Sequence, residues 1–203
     1  MPRSAAVVAF PSCGPGSGSP DGKPTAATID PSNQCVADVA ATHDLKGANM
    51  DALSLLRDDH RKMKRLLAEL EATTERGVKT REELFGRIKA ELSVHEIIEE
   101  EIFYPTLKAH PKAKDLVLEA YEEHDVVNHI MGELGSLPVD DETWGPKAKV
   151  MIENIEHHME EEEGEMFDKA RQVFDRSELE QLGAAMADRK AEATAGRAGA
   201  PSR

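Results

Sequence analysis

HEIIEEEIFYP, residues 95–105, places His95 and Glu99 four positions apart inside a helical hydrophobic pattern. On a helix that spacing puts both side chains on one face, one turn apart. HMEEEEGEMFD, residues 158–168, repeats it with His158 and Glu162. Two such helices facing each other would hold a metal, and the rest of the chain bears on that reading.

The spacing of apolar residues on either side is helical. Leu53, Leu56, His60, Met63, Leu67 and Leu70 form one stripe, with Gly77 as a stop; Leu84, Ile88, Leu92, His95, Glu99 and Ile102 form a second, opened by a Thr80/Glu83 capping box. Pro105 and Pro111 bracket a helix break. A third helix over about 112–135 carries Val117, Ala120, His124, Val127, Met131 and Leu134. After a loop with Gly135, Pro138, Gly145 and Pro146, a fourth presents Met151, Ile155, His158, Glu162 and Met166, and a Ser177/Glu180 capping box opens a short terminal helix. These elements predict an all-α fold: an up-down-up-down four-helix bundle with a short fifth C-terminal helix. The domain plan is a disordered extension over 1–49, the bundle over 50–175, and a short helix with a flexible tail over 176–203.

Residues 1–49 are rich in Gly, Pro, Ser, Ala and Thr, contain no glutamate, and hold both cysteines, Cys13 and Cys35. Such composition predicts disorder, and it keeps a cysteine-ligated site or disulfide framework out of the bundle. AAVVAF, residues 5–10, is too short for a signal peptide core. The net charge of −14 argues against nucleic acid and anionic membranes as partners, no apolar run is long enough to span a bilayer, and a cytoplasmic location is expected.

The two halves of the bundle echo each other. Asp58-Asp59-His60 is answered by Glu122-Glu123-His124, and the His60–His95 interval of 35 nearly equals the His124–His158 interval of 34. Two hairpins related by a pseudo-twofold axis would bring the four histidines and two glutamates to one level. Periodicity selects His158 over His157, and places His129 outside the stripe.

Buried glutamate is rare unless paired or metal-bound. With no Lys or Arg on the inward stripes, a metal is the best counter-charge. Imidazole and carboxylate without thiolate suit iron, manganese or zinc, and six donors suit two ions with Glu99 and Glu162 bridging. Ferritin-like bundles carry glutamate three residues before histidine; here those positions are Arg57, Leu92, Tyr121 and Ile155.

The order His60, His95 with Glu99, His124, His158 with Glu162, in the contexts RDDH, HEIIEEEIFYP, EEHDVV and HMEEEEGEMF, resembles the hemerythrin-like HHE cation-binding domains over roughly residues 50–175. The resemblance implies a non-heme diiron site of two iron ions, with the four histidines as terminal ligands, Glu99 and Glu162 as bridges, and Glu96 as an additional ligand in some members. Its open position would take dioxygen, nitric oxide or peroxide, for binding, sensing or iron and redox homeostasis. Oxygen-carrying hemerythrins have a further histidine where this chain has Asn128, which argues against stable reversible oxygen carriage. Two other readings stand beside this one: a diiron enzyme with catalase-like or oxidase activity, and a metal-free helical interaction module.

The change of composition at Met50 makes that residue an alternative natural start. Mass spectrometry of the protein in its native cell tests this: a tryptic peptide from residues 1–49 would exclude it.

Overall fold

The computed structural model describes residues 50–198, and the calls on residues 1–49, Cys13 and Cys35 included, lie outside the described residues. Helix α1 spans Ala52–Glu71 and is capped by Asp51, whose carboxylate accepts from the Ser54 backbone N–H at 2.9 Å. Helix α2 starts as Val78–Ile98, passes through a π-helical turn, Glu99–Phe103, and ends in Tyr104–Lys108. Helix α3 is Lys114–Leu134. Helix α4 repeats the plan of α2, with Trp144–Glu161, a π-helical turn over Glu162–Met166, and Phe167–Val173. Helix α5 is Arg176–Ala198.

The first four helices divide their buried residues at the histidines. On α1, Leu53, Leu55 and Leu56 belong to one apolar cluster and Met63, Leu66 and Leu67 to another. On α3 the division is the same, Val117 and Ala120 before His124, and Val127 and Met131 after it. On α2 and α4 the order reverses: Leu84, Ile88 and Ile155 join the second cluster, Phe103, Tyr104 and Phe167 the first. This alternation is the up-down-up-down arrangement. The polar residues form a layer between two apolar clusters.

Several local expectations change. No side chain caps α2; Gly77 is its N-cap and accepts from the Arg81 N–H at 2.9 Å, so Gly77 starts a helix rather than stopping one, while Thr80 and Glu83 stay exposed. Pro105 does not break α2. The wider π-helical turn carries the chain past it, and Tyr121 Oη lies 3.5 Å from the Glu100 carbonyl, which receives no N–H from the proline. Gly145 and Pro146 sit in the first turn of α4, where a missing N–H costs no helical hydrogen bond.

The fifth helix is 23 residues long, not short. Its alanine-rich continuation, expected to be tail, has high helix propensity and gains partners: Arg189 Nε meets Glu101 at 2.6 Å, and Lys190 pairs with Asp59 of α1. Its capping box is Asp175/Glu178, each side chain accepting the other's backbone N–H at 2.9 and 2.7 Å. One buried cation does exist: Arg81, at the start of α2, lies over the Trp144 ring and donates to the Val139 carbonyl at 3.1 Å. Fourteen residues of helix, about 21 Å, separate it from His95, so it does not neutralise the polar layer.

Helix α5 approaches α1 backbone to backbone at Gly183, where a Cβ would fall on the Met50 carbonyl and within 2.8 Å of the Ala52 nitrogen. Gly183→Ala is expected to lower stability by about 1–3 kcal/mol, as overpacking does. Gly86→Ala, at a position with nothing within 4 Å, is expected to be neutral or stabilising by about 0.5–1 kcal/mol. Urea unfolding of both variants checks the pair.

Candidate metal centre

Each of the first four helices sends one histidine into the polar layer, and all four are at most 5% exposed. Their Nε2 atoms converge in two pairs: His60 and His95 at 3.2 Å, His124 and His158 at 3.2 Å. Glu99, fully buried, lies between the pairs, with Oε1 3.0 Å from His95 Nε2 and Oε2 3.4 Å from His124 Nε2. Glu162, 1% exposed, places Oε2 3.1 Å from His60 Nε2. Two clusters of closely spaced donor atoms result, one of His60, His95, Glu99 and Glu162 and the other of Glu99, His124 and His158. Glu99 belongs to both, whereas Glu162 falls in the first.

The reason these side chains meet is the alternation of the helices. His60 and His124 lie near the middle of α1 and α3, and His95 and His158 lie a turn before the π-helical segments that begin at Glu99 and Glu162. In each segment the next N–H reaches back five residues, from Tyr104 to Glu99 and from Phe167 to Glu162. Bulges of this kind insert a residue without breaking the helix. They follow the buried carboxylates and rotate the aromatic residues Phe103, Tyr104 and Phe167 into the core.

The outer nitrogen of every histidine faces a carboxylate from a neighbouring helix. Asp59 of α1 faces His95 Nδ1 at 3.7 Å, and Glu100 of α2 accepts from His124 Nδ1 at 3.1 Å. Glu123 of α3 accepts from His158 Nδ1 at 2.7 Å, and Glu163 of α4 from His60 Nδ1 at 3.0 Å. Each helix thus supplies a carboxylate to the histidine of the next, and α4 returns to α1, closing a ring. At His60, His124 and His158 an Nδ1–H held this way fixes the ring orientation and leaves Nε2 facing inward, while Asp59 faces His95 at ion-pair range.

Sequence reasoning passed over all four of these acids. Glu100, directly after Glu99, positions His124. A signal was present: Asp59 and Glu123 each precede a histidine of the repeat, and Glu100 and Glu163 each follow a buried glutamate.

Glu96 stands outside both clusters. It is buried, points toward α3, and accepts from Asn128 Nδ2 at 3.0 Å; burial pushes its carboxyl above the usual range. His129 and His157 are 77% and 64% exposed, on the solvent side as periodicity placed them.

The two buried carboxylates draw positive charge into the layer. No hydrogen-bond donor meets the four carboxylate oxygens of Glu99 and Glu162; imidazole Nε2 atoms lie beside them instead. Burial alone would lower the pKa of His95, but the Glu99 charge and its contacts with Asp59 and Glu99 outweigh that and hold it well above the ordinary value. Burial is likewise outweighed at His158, which is raised by its hydrogen bond to Glu123 and by the Glu162 and Glu99 charges. Glu162 is held below the carboxylate range despite its burial, chiefly by His60. Tyr104, buried with its hydroxyl 3.5 Å from His124 Nε2, is pushed well above its ordinary value by burial and the two carboxylates, and stays a neutral phenol.

A helical bundle whose core gathers imidazole and carboxylate at one level, with each imidazole oriented from outside, belongs to the class of cation-binding helical proteins. The hemerythrin HHE cation-binding domain family matches residues 51–170, and the chain belongs to that family. Among solved structures it resembles a hemerythrin HHE cation-binding domain-containing protein from Mycobacterium kansasii, at 27% identity and a TM-score of 0.66, covering 72% of this chain and 89% of the other. It is also 22% identical over 142 residues to a DNA nickase of Nostoc sp., an alignment covering 70% of this chain but only 40% of that relative's length. Among the described residues no helix is long and apolar enough to cross a membrane.

The raised histidines give a sign to the pH dependence. A histidine whose folded pKa is raised stabilises the fold below its unfolded pKa, about 6.5, and loses that contribution as pH rises through the folded value. The cation-free chain should therefore lose thermal stability as pH rises above about 6.5. A cation takes the Nε2 positions that protons hold, so its uptake should release protons at pH 7 and tighten as pH rises. Calorimetric titration with zinc(II) in two buffers of different ionisation enthalpy measures the release; no difference between the buffers would count against it.

Proposed function

We propose that this protein is a non-heme diiron protein whose centre binds or senses dioxygen, nitric oxide or peroxide. The observation that carries this is the convergence of four imidazole Nε2 atoms in two pairs, with a fully buried, donor-free Glu99 between them. Two nitrogens each about 2.1 Å from one cation and about 100° apart at it are separated by about 3.2 Å, which the pairs match. His60 and His95 would hold one ion and His124 and His158 the other, with Glu99 shared and Glu162 joining from the first side.

Iron bound there supplies a redox-active centre with an open coordination position. The chain itself shapes what can reach it. A small cavity of about 20 Å³ lies beside His60, His95 and His158, walled by the apolar side chains Met63, Leu92, Ile155 and Met159. That space holds about one water-sized molecule, which favours a diatomic gas or peroxide over a larger substrate. Tyr104, a neutral phenol at the opposite side chain cluster, can donate a hydrogen bond beside His124. Asn128, where a further histidine would stand in oxygen carriers, is engaged by Glu96, which favours sensing or redox chemistry over carriage.

The protein purified from its native host is expected to contain about two iron ions per chain and to show an oxo-bridged diferric optical and Mössbauer signature. Less than about one iron per chain would sink the reading. Glu100→Gln keeps the size of the side chain while removing the charge behind His124, and should weaken iron binding about 10–100-fold with helical content retained.

A further inference from the structure

A second group of donor atoms lies outside the buried layer, where α3 and α4 meet. Glu123, His157 and Glu161 each offer one ligand atom, all within 4.8 Å of one another. His157 Nε2 is 3.3 Å from Glu161 Oε1 and 4.0 Å from Glu123 Oε1. One imidazole and two carboxylates with no thiolate suit a first-row divalent cation. An exposed histidine beside a glutamate one turn along a helix is by itself an ordinary surface pair.

Two observations set this group apart. Glu123 serves both groups: Oε2 holds His158 Nδ1 at 2.7 Å while Oε1 faces His157. In addition, a cavity of about 20 Å³ has Glu119, Glu123 and Glu161 on one side, His158 and Glu162 of the buried centre on another, and Leu116, Ala120 and Met166 completing its wall. Glu162 is 1% exposed and neither of its carboxylate oxygens has a hydrogen-bond donor. The cavity therefore joins an acidic mouth to an unsatisfied buried carboxylate, and it holds about one water-sized sphere.

We propose that Glu123, His157 and Glu161 form an outer divalent-cation site, from which ferrous iron is passed through this cavity to Glu162 and the buried centre. The proposal rests on the reading of that centre as an iron site. Acidic side chains concentrate a cation at the mouth, as a cleft of one charge sign does. Glu123 lies at the junction, one carboxylate oxygen toward each group. His157 has no place in the inner layer, so its removal leaves the inner donors intact.

The test has two arms on the full chain. Manganese(II) is titrated into the iron-loaded protein and followed by electron paramagnetic resonance: the wild type should bind an additional equivalent that His157→Ala loses. Ferrous iron uptake by the metal-free chain is followed by stopped-flow absorbance: His157→Ala and Glu161→Gln should slow it by about 10-fold, with the final iron content and spectrum unchanged. Equal manganese binding by wild type and His157→Ala overturns the outer site. Loss of manganese binding with uptake at the wild-type rate overturns the loading route. A wild-type chain that takes up no iron overturns the reading of the buried centre, and is told apart from both by the final iron content.

Discussion

Burying Glu99 and Glu162 is the constraint around which the bundle is built. Removing an ionised carboxylate from water costs several kcal/mol even after the protein relaxes, and beside these two stand imidazole nitrogens rather than well-aligned hydrogen-bond donors. Their compensation is supplied in shells. The four imidazoles come first, the ring of Asp59, Glu100, Glu123 and Glu163 lies behind them, and lysines reach the ring from outside, with Lys64 on Glu163 and Lys190 on Asp59. Apolar clusters above and below keep the field inside the layer strong. The result is an interior that prefers positive charge, as protons on His95 and His158 or as bound cations.

This layered arrangement explains which parts of the molecule the sequence revealed. The stripes of α1 and α3 repeat at regular helical spacing, and every residue assigned to them is buried. The burial of the four histidines and two glutamates was legible for the same reason, because each occupies a position that an apolar side chain would otherwise fill. Ile102 was assigned to the α2 stripe by the same spacing, but it is only partly buried while Phe103 and Tyr104 are buried beyond it. The π-helical turn adds a residue to the local repeat, and a rule of 3.6 residues per turn fails across it.

What sequence reasoning missed has a common cause. Glu100, Glu123 and Glu163 sit in runs of glutamate that mix exposed and buried members, and a run does not show which member turns back toward a neighbouring helix. That choice is made by tertiary packing. The fifth helix was underestimated for a related reason: its amphipathic signal is weak, and its place is set by the Gly183 approach to α1 and by the Arg189 and Lys190 pairs.

The ring of carboxylates has a consequence for how the chain can be divided. Asp59 to His95 and Glu123 to His158 are links within the α1–α2 and α3–α4 hairpins, whereas Glu100 to His124 and Glu163 to His60 run between them. A hairpin cut free at the α2–α3 connection would keep one link and expose an unanswered histidine at one helix and an unanswered glutamate at the other. Those two ends complement each other. Each hairpin thus carries one half of a complementary pair at either end, and the α2–α3 connection keeps the two halves at the 1:1 ratio that the closed ring needs.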